Sequence, residues 1–168
     1  SRGFVREEDQ EEIPMVTPRA DLPSGITNYV TQVGMNQLLE VSDLLTMNYN
    51  SEVTLNENEQ RIAANFLNAK INLLSEKILT AKVVDLSKQP HEEVRFGAFV
   101  TLQINDEKKS QRYQIVGVDE ANIMQNKIAF ISPIAKLLIN KKVGDETVLQ
   151  LANKSSVFKI LLIEYLSE

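Results

Sequence analysis

Apolar residues recur at helical spacing in the second quarter of the chain. The clearest stripe is spaced alternately three and four residues apart and consists of Ala64, Leu67, Ile71, Leu74, Ile78 and Ala81. Such a heptad seam predicts a helix that begins near residues 55–59 and buries one face against a partner helix.

A second helical pattern precedes this stripe. Leu38, Val41 and Leu45 repeat the spacing, Leu39 and Leu44 widen the apolar face, and Thr27 or Thr31 is available as an N-cap. The pattern fades in the turn-favouring residues 48–51. Because neither stripe can be buried alone, the two helices are predicted to form an antiparallel coiled-coil hairpin over residues 27–82.

From residue 83 the pattern changes to strands. Segments 99–104, 113–118 and 127–131 are rich in β-branched and aromatic residues, and 147–151 and 157–166 continue the series. Pro133 is placed to begin a short helix that runs to about Asn140. We therefore predict an α+β protein with a mainly antiparallel β domain over residues 83–168.

The first 26 residues have a different composition, with charged residues early and prolines at 14, 18 and 23. This is typical of an extended segment. It includes the apolar pair Phe4 and Val5. These two residues would either anchor the segment to the rest of the protein or to a partner, or lie exposed to solvent.

Composition narrows the function further. The net charge is −5, so direct binding of nucleic acid through a basic face is not expected, and any DNA or RNA would be met through a partner. With no cysteine, and with His91 alone in a polar loop, a thiol nucleophile or a Cys/His metal site is not expected. No apolar run reaches membrane-spanning length, which predicts a cytoplasmic protein without a membrane partner.

Three stretches of the C-terminal half resemble the GreA/GreB family of transcript-cleavage factors. They are 96–102, 113–121 and, most specifically, Ser132-Pro-Ile-Ala-Lys-Leu-Leu-Ile-Asn-Lys-Lys-Val-Gly-Asp-Glu146. The resemblance implies an FKBP-like C-terminal domain that binds the rim of the secondary channel of bacterial RNA polymerase. It also places that contact at Ser132, Pro133 and Ile134. The protein would be an accessory factor with no catalytic residue of its own.

The resemblance also implies a helical arm whose acidic tip helps to hold a catalytic Mg²⁺ shared with the polymerase. The family's tip sequence Asp-Leu-Ser-Glu-Asn corresponds here to Thr54-Leu-Asn-Glu-Asn58. Glu57 therefore keeps the glutamate and is the candidate metal ligand, while Thr54 replaces the aspartate. Glu52 and Glu59 are the other acidic tip candidates.

The predicted arm is short. About 18 residues of helix at ~1.5 Å each give an arm of about 27 Å. A shortened arm of this kind resembles that of Rnk, the regulator of nucleoside-diphosphate kinase, a Gre relative with a stunted coiled coil.

Three hypotheses about function follow: a cleavage-stimulating elongation factor, a polymerase-binding regulator that competes with cleavage factors, and a prolyl isomerase. The last rests on fold alone, and an aromatic pocket is not expected when aromatics make up 6% of the chain. The oligomeric state stays open.

Overall fold

The computed structural model describes residues 22–49 and 56–166. Predictions for the first 21 residues, the 50–55 turn, Glu52 and Thr54 lie outside these ranges. Within the described ranges, no helix is both long and apolar enough to cross a membrane.

Two long helices lie where the apolar stripes predict them. Helix α1 is Gln32–Tyr49 and helix α2 is Glu57–Thr80. Strand β1 (Asn28–Val30) leads into α1, and strand β2 (Ala81–Val83) follows α2. Strands β1 and β2 pair in parallel, with Asn28 opposite Ala81, so the end of α2 lies beside the start of β1 and the start of α1 lies beside the end of β2.

The apolar faces of these helices are covered unevenly. Leu38 and Leu74 are buried, and the remaining seam residues of α2 are half-buried. Val41, predicted to lie in the seam, is 46% exposed, because two helices packed on each other cover only a narrow stripe. Ala81 was also assigned wrongly: the helix ends at Thr80, and Ala81 pairs with Asn28 in β2.

The C-terminal part is a five-stranded sheet. Its strands are β3 (Phe99–Ile104), β4 (Ser110–Val116), β5 (Lys127–Ala129), β6 (Glu146–Leu151) and β7 (Lys154–Glu164). They lie in the order β5-β4-β3-β7-β6, and every neighbouring pair is antiparallel except β4 and β5. The predicted α+β class is confirmed, with a mixed sheet.

The turn between β3 and β4 is tighter than the sequence indicates. Asn105 and Asp106 both adopt positive φ, at 53° and 59°, and the amide of Glu107 donates to the carbonyl of Ile104. Two central residues with positive φ define a type I′ turn, which suits the twist of a hairpin. Strand β4 begins at Ser110, three residues before the predicted start.

Helix α3 (Pro133–Leu138) closes the core of this domain. It buries Ala135 and Leu138 in a cluster with side chains of the sheet and of the segment that precedes β3. This cluster includes Val94, Val100, Leu102, Ile115, Phe158 and Ile160. The helix ends two residues before the predicted Asn140, which adopts a left-handed φ of 73°. Its first turn is thereby fixed at the surface of a packed domain.

Candidate functional site

The loop that begins α3 is held by its own capping interactions. Ser132 precedes the helix in extended conformation, and its Oγ accepts a hydrogen bond from the amide of Ala135 at 3.3 Å. Pro133 occupies the first turn, where its missing amide costs nothing and its fixed φ suits a helix. Ser132 also donates its amide to the carbonyl of Ala129 at 2.9 Å. The three predicted contact residues therefore lie together on a rigid turn.

These three residues differ in what they can offer a partner. Pro133 is exposed, Ser132 is half-buried by its capping role, and Ile134 is half-buried with its side chain packed against the core cluster. A charge placed at Ile134 would therefore disturb the core as well as any interface. Pro133 is the position where surface chemistry can be changed with least effect on packing.

Lysines follow this loop and were not singled out by the sequence patterns. Lys136 is exposed in the last turn of α3, and Lys141 and Lys142 are the third and fourth residues after the helix ends. Residues 132–144 contain no acidic residue, although the whole chain carries a net charge of −5. This stretch, here called the basic loop (residues 132–144), is locally basic in sequence. In the structure it is bordered by Glu93, which forms a backbone bridge with Lys142, and by Asp145, whose Oδ2 accepts the amide of Lys142. The lysine spacing in the sequence could have indicated the basic loop.

The predicted acidic tip lies at the start of α2. Asn56 caps this helix by accepting the amide of Glu59 at 2.8 Å, and the carboxylate of Glu59 accepts the amide of Asn56 at 3.2 Å. This reciprocal pair is a capping box, which satisfies two backbone donors that the helix leaves unpaired. Glu59 thus has a structural task at the helix start.

Glu57 lies exposed in the first turn of α2, where a negative charge is favoured by the helix dipole. Across the described residues, no group of three or more His, Asp or Glu side chains is arranged to hold a metal ion. As an exposed carboxylate, Glu57 offers one oxygen ligand of the kind that Mg²⁺ takes from proteins.

His91 is exposed, as predicted for a surface loop, and its ring packs edge-on against Tyr165 with centroids 5.7 Å apart. This contact gives the histidine a packing role at the end of the domain.

The fold and these surfaces define a two-part α+β protein whose candidate contacts are a surface loop and a helix start. Residues 89–165 match the family model for the C-terminal domain of the transcription elongation factors GreA and GreB. GreA of Hyphomonas neptunium is 38% identical over 115 residues, which cover 66% of this chain and 73% of that protein. GreA of Sinorhizobium medicae is 38% identical over 96 residues, covering 57% and 61%.

Among solved structures, the GreA/GreB factor of Nitrosomonas europaea superposes with a TM-score of 0.42 at 15% identity, covering 82% of this chain and 98% of that one. From the sequence relatives, the chain belongs to the GreA/GreB family of transcription elongation factors. Members of this family are accessory factors in transcript cleavage, so the prediction that the chain is not itself an enzyme is confirmed.

Proposed function

We propose that this chain is a cytoplasmic elongation factor that binds bacterial RNA polymerase at the rim of its secondary channel. The FKBP-like domain of residues 83–168 docks through Ser132, Pro133 and Ile134, and α1 and α2 form the hairpin arm directed into the channel. The observation that supports this most directly is the capped, exposed turn at Pro133 within the segment that matches the family model. DNA and RNA are met only through the polymerase.

Charge supports the same docking surface. The basic loop carries Lys136, Lys141 and Lys142 with no acidic residue among them. Charges of opposite sign on two partners speed their encounter and fix their register more than they add affinity. We therefore expect an acidic partner surface, and binding that weakens as salt is raised.

The arm tip favours a factor that modulates elongation without stimulating cleavage. Glu59 is engaged in the capping box, Thr54 stands where the family has aspartate, and Glu57 is exposed in the first turn of α2. Helix α1 has 18 residues, which give about 27 Å at ~1.5 Å rise per residue. A short α1, together with threonine in place of the family's tip aspartate, suits a Rnk-like regulator that occupies the channel and competes with cleavage factors.

The isomerase alternative finds less support. An isomerase pocket would need aromatic side chains that line an open cavity. Tyr29, Phe96 and Phe130 instead pack edge-on or tilted against one another, with ring centroids 5.5–5.9 Å apart. The three rings therefore contact one another, and such packing is itself stabilising.

The docking loop is tested by Pro133→Glu. Glutamate is tolerated in the first turn of a helix, so α3 should persist while the exposed surface gains a negative charge beside the lysines. We expect the affinity for bacterial RNA polymerase to fall by tenfold or more, about 1.4 kcal/mol, in a titration of labelled protein. The matched control is Pro23→Glu, an exposed proline outside the domain. Equal affinity of Pro133→Glu and the control would refute this docking site.

A further inference from the structure

Polar side chains are buried where the helix pair meets the β domain. Thr31 and Glu120 are 0% and 7% exposed, and the hydroxyl of Thr31 donates to Oε1 of Glu120 at 2.6 Å. The other carboxylate oxygen, Oε2, lies 3.1 Å from Nζ of Lys127. A buried charge is costly unless it is paired and hydrogen-bonded, and Glu120 meets both conditions by contacting α1 on one side and β5 on the other.

The first turn of α1 is shaped to receive this carboxylate. Thr31 is the N-cap, since its Oγ1 accepts the amide of Gly34 at 2.9 Å while its hydroxyl hydrogen goes to Glu120. A Cβ built on Gly34 would lie 2.8 Å from Oε1 of Glu120. The hydroxyl of Thr31 thus both caps the helix and binds it to the β domain. Gly34, which has no side chain, leaves room for the carboxylate of Glu120.

The neighbouring residue binds the other helix. Oδ1 of Asp119 lies 3.3 Å from Nζ of Lys77 near the end of α2, and these side chains are only 8% and 15% exposed. From β1, Nδ2 of Asn28 donates to the carbonyl of Lys77 and to Oγ1 of Thr80. Two consecutive acidic residues therefore hold the start of one helix and the end of the other.

The backbone approaches closely at the same place. A Cβ on Gly117 would lie 2.4 Å from the carbonyl oxygen of Tyr29, so β1 runs directly against the turn that carries Asp119 and Glu120. The amides of Glu120 and Ala121 both donate to the carbonyl of Gly117, which fixes that turn. The acidic pair is consequently presented from a rigid support.

We propose that Thr31, Lys77, Asp119, Glu120 and Lys127, together called the polar joint, hold the helix pair at one direction relative to the β domain. Apolar contacts tolerate some sliding, whereas a buried carboxylate keeps its partners in only one geometry, and rotation would leave the charge unpaired. Thr31, Asp119 and Glu120 are positioning residues in this arrangement.

Small rotations at the joint are amplified along the helices. Helix α2 has 24 residues, about 36 Å at ~1.5 Å each, so a swing of about 10° moves its start by about 6 Å. Under the proposed function, docking through the basic loop and insertion of the arm must fit one partner at once. The angle between the helix pair and the β domain then decides whether the docking contact and the arm contact can form together. This consequence rests on the proposed function.

The joint is tested on the free protein by distances between spin labels. The chain has no cysteine, so Asn65→Cys on α2 and Ser155→Cys on β7, both exposed, give two unique labels. We expect one narrow distance distribution for the otherwise unchanged chain. Thr31→Val, which removes the hydroxyl at constant shape, and Glu120→Gln, which removes the charge, should each broaden or shift the distribution. The expected change is about 4 Å, because Asn65 lies about 22 Å from the end of α2 and a swing of about 10° moves it by that much.

Conservative variants separate positioning from general loss of structure. Thr31→Ser keeps the hydroxyl and should restore the narrow distribution, while Thr46→Val and Glu40→Gln on the exposed face of α1 should leave it unchanged. A narrow, unshifted distribution in both Thr31→Val and Glu120→Gln would overturn the proposal. Because the measurement involves no polymerase, a failure to bind polymerase would contradict the proposed function without altering this result.

Discussion

At the scale of single residues, Gly34 offers a test of two opposing effects. Replacing glycine by alanine inside a helix ordinarily stabilises it, by up to about 1 kcal/mol. Here the added Cβ would lie 2.8 Å from Oε1 of Glu120. This carboxylate is held in place by Thr31 at Oε1 and by Lys127 at Oε2. We expect Gly34→Ala to lower the free energy of unfolding by about 1–3 kcal/mol, the usual cost of overpacking, in urea titrations.

The control for that experiment is the same substitution in a Glu120→Ala background. With the carboxylate gone, Gly34→Ala should become neutral or stabilising relative to Glu120→Ala alone, because only the helix propensity remains. Destabilisation of equal size in both backgrounds would show that Glu120 is not what excludes a side chain at position 34.

Residue-level features were predictable where they depend on near neighbours. Thr31 was one of two candidate caps, and the structure selects it because its hydroxyl reaches the amide of Gly34. Its second partner, Glu120, is 89 residues away, and no local pattern indicates such a pair. The ion pair between Lys77 and Asp119 was not predicted for the same reason, since its two residues are far apart in the sequence.

At the scale of elements, the start of α2 depends on its capping box. Removing the side chain of the N-cap by Asn56→Ala should cost about 0.5–2 kcal/mol and reduce helical ellipticity, whereas Asn56→Ser should retain most of both. Thermal unfolding followed by circular dichroism at 222 nm would measure this. Full stability and ellipticity in Asn56→Ala would show that the capping box contributes nothing to α2.

Glu59→Gln extends the element-scale test to function. Glutamine also serves at this position of a capping box, so the helix should be preserved while a potential metal ligand is lost. We expect polymerase binding and any effect on elongation to stay unchanged in steady-state assays. A clear loss of activity with intact helicity would assign Glu59 a role at the metal instead.

The elements themselves were predictable to different degrees. The heptad seam of α2 and the alternation in β3 are long, periodic signals, and both elements formed as predicted. Strands β1 and β2 were missed because three residues carry no measurable period, and their pairing depends on two segments more than 50 residues apart. The exposed Val41 shows that an apolar residue at helical spacing need not be buried when only one partner helix is present.

At the scale of the whole molecule, the sequence indicated two modules and a family, while the way they are joined came only from the structure. The central claim is that the domain docks on RNA polymerase while a short arm enters without completing a metal site. It depends on the basic loop of the β domain and, at the arm, on Thr54 in place of the family's aspartate.

The most direct measurement is RNA cleavage by a backtracked polymerase complex, with and without this protein, alongside binding to the same complex. The account predicts binding without stimulated cleavage, together with inhibition of an added cleavage factor, and the same result for Glu57→Gln. Absence of binding, or cleavage stimulated by the unchanged chain and abolished by Glu57→Gln, would contradict it.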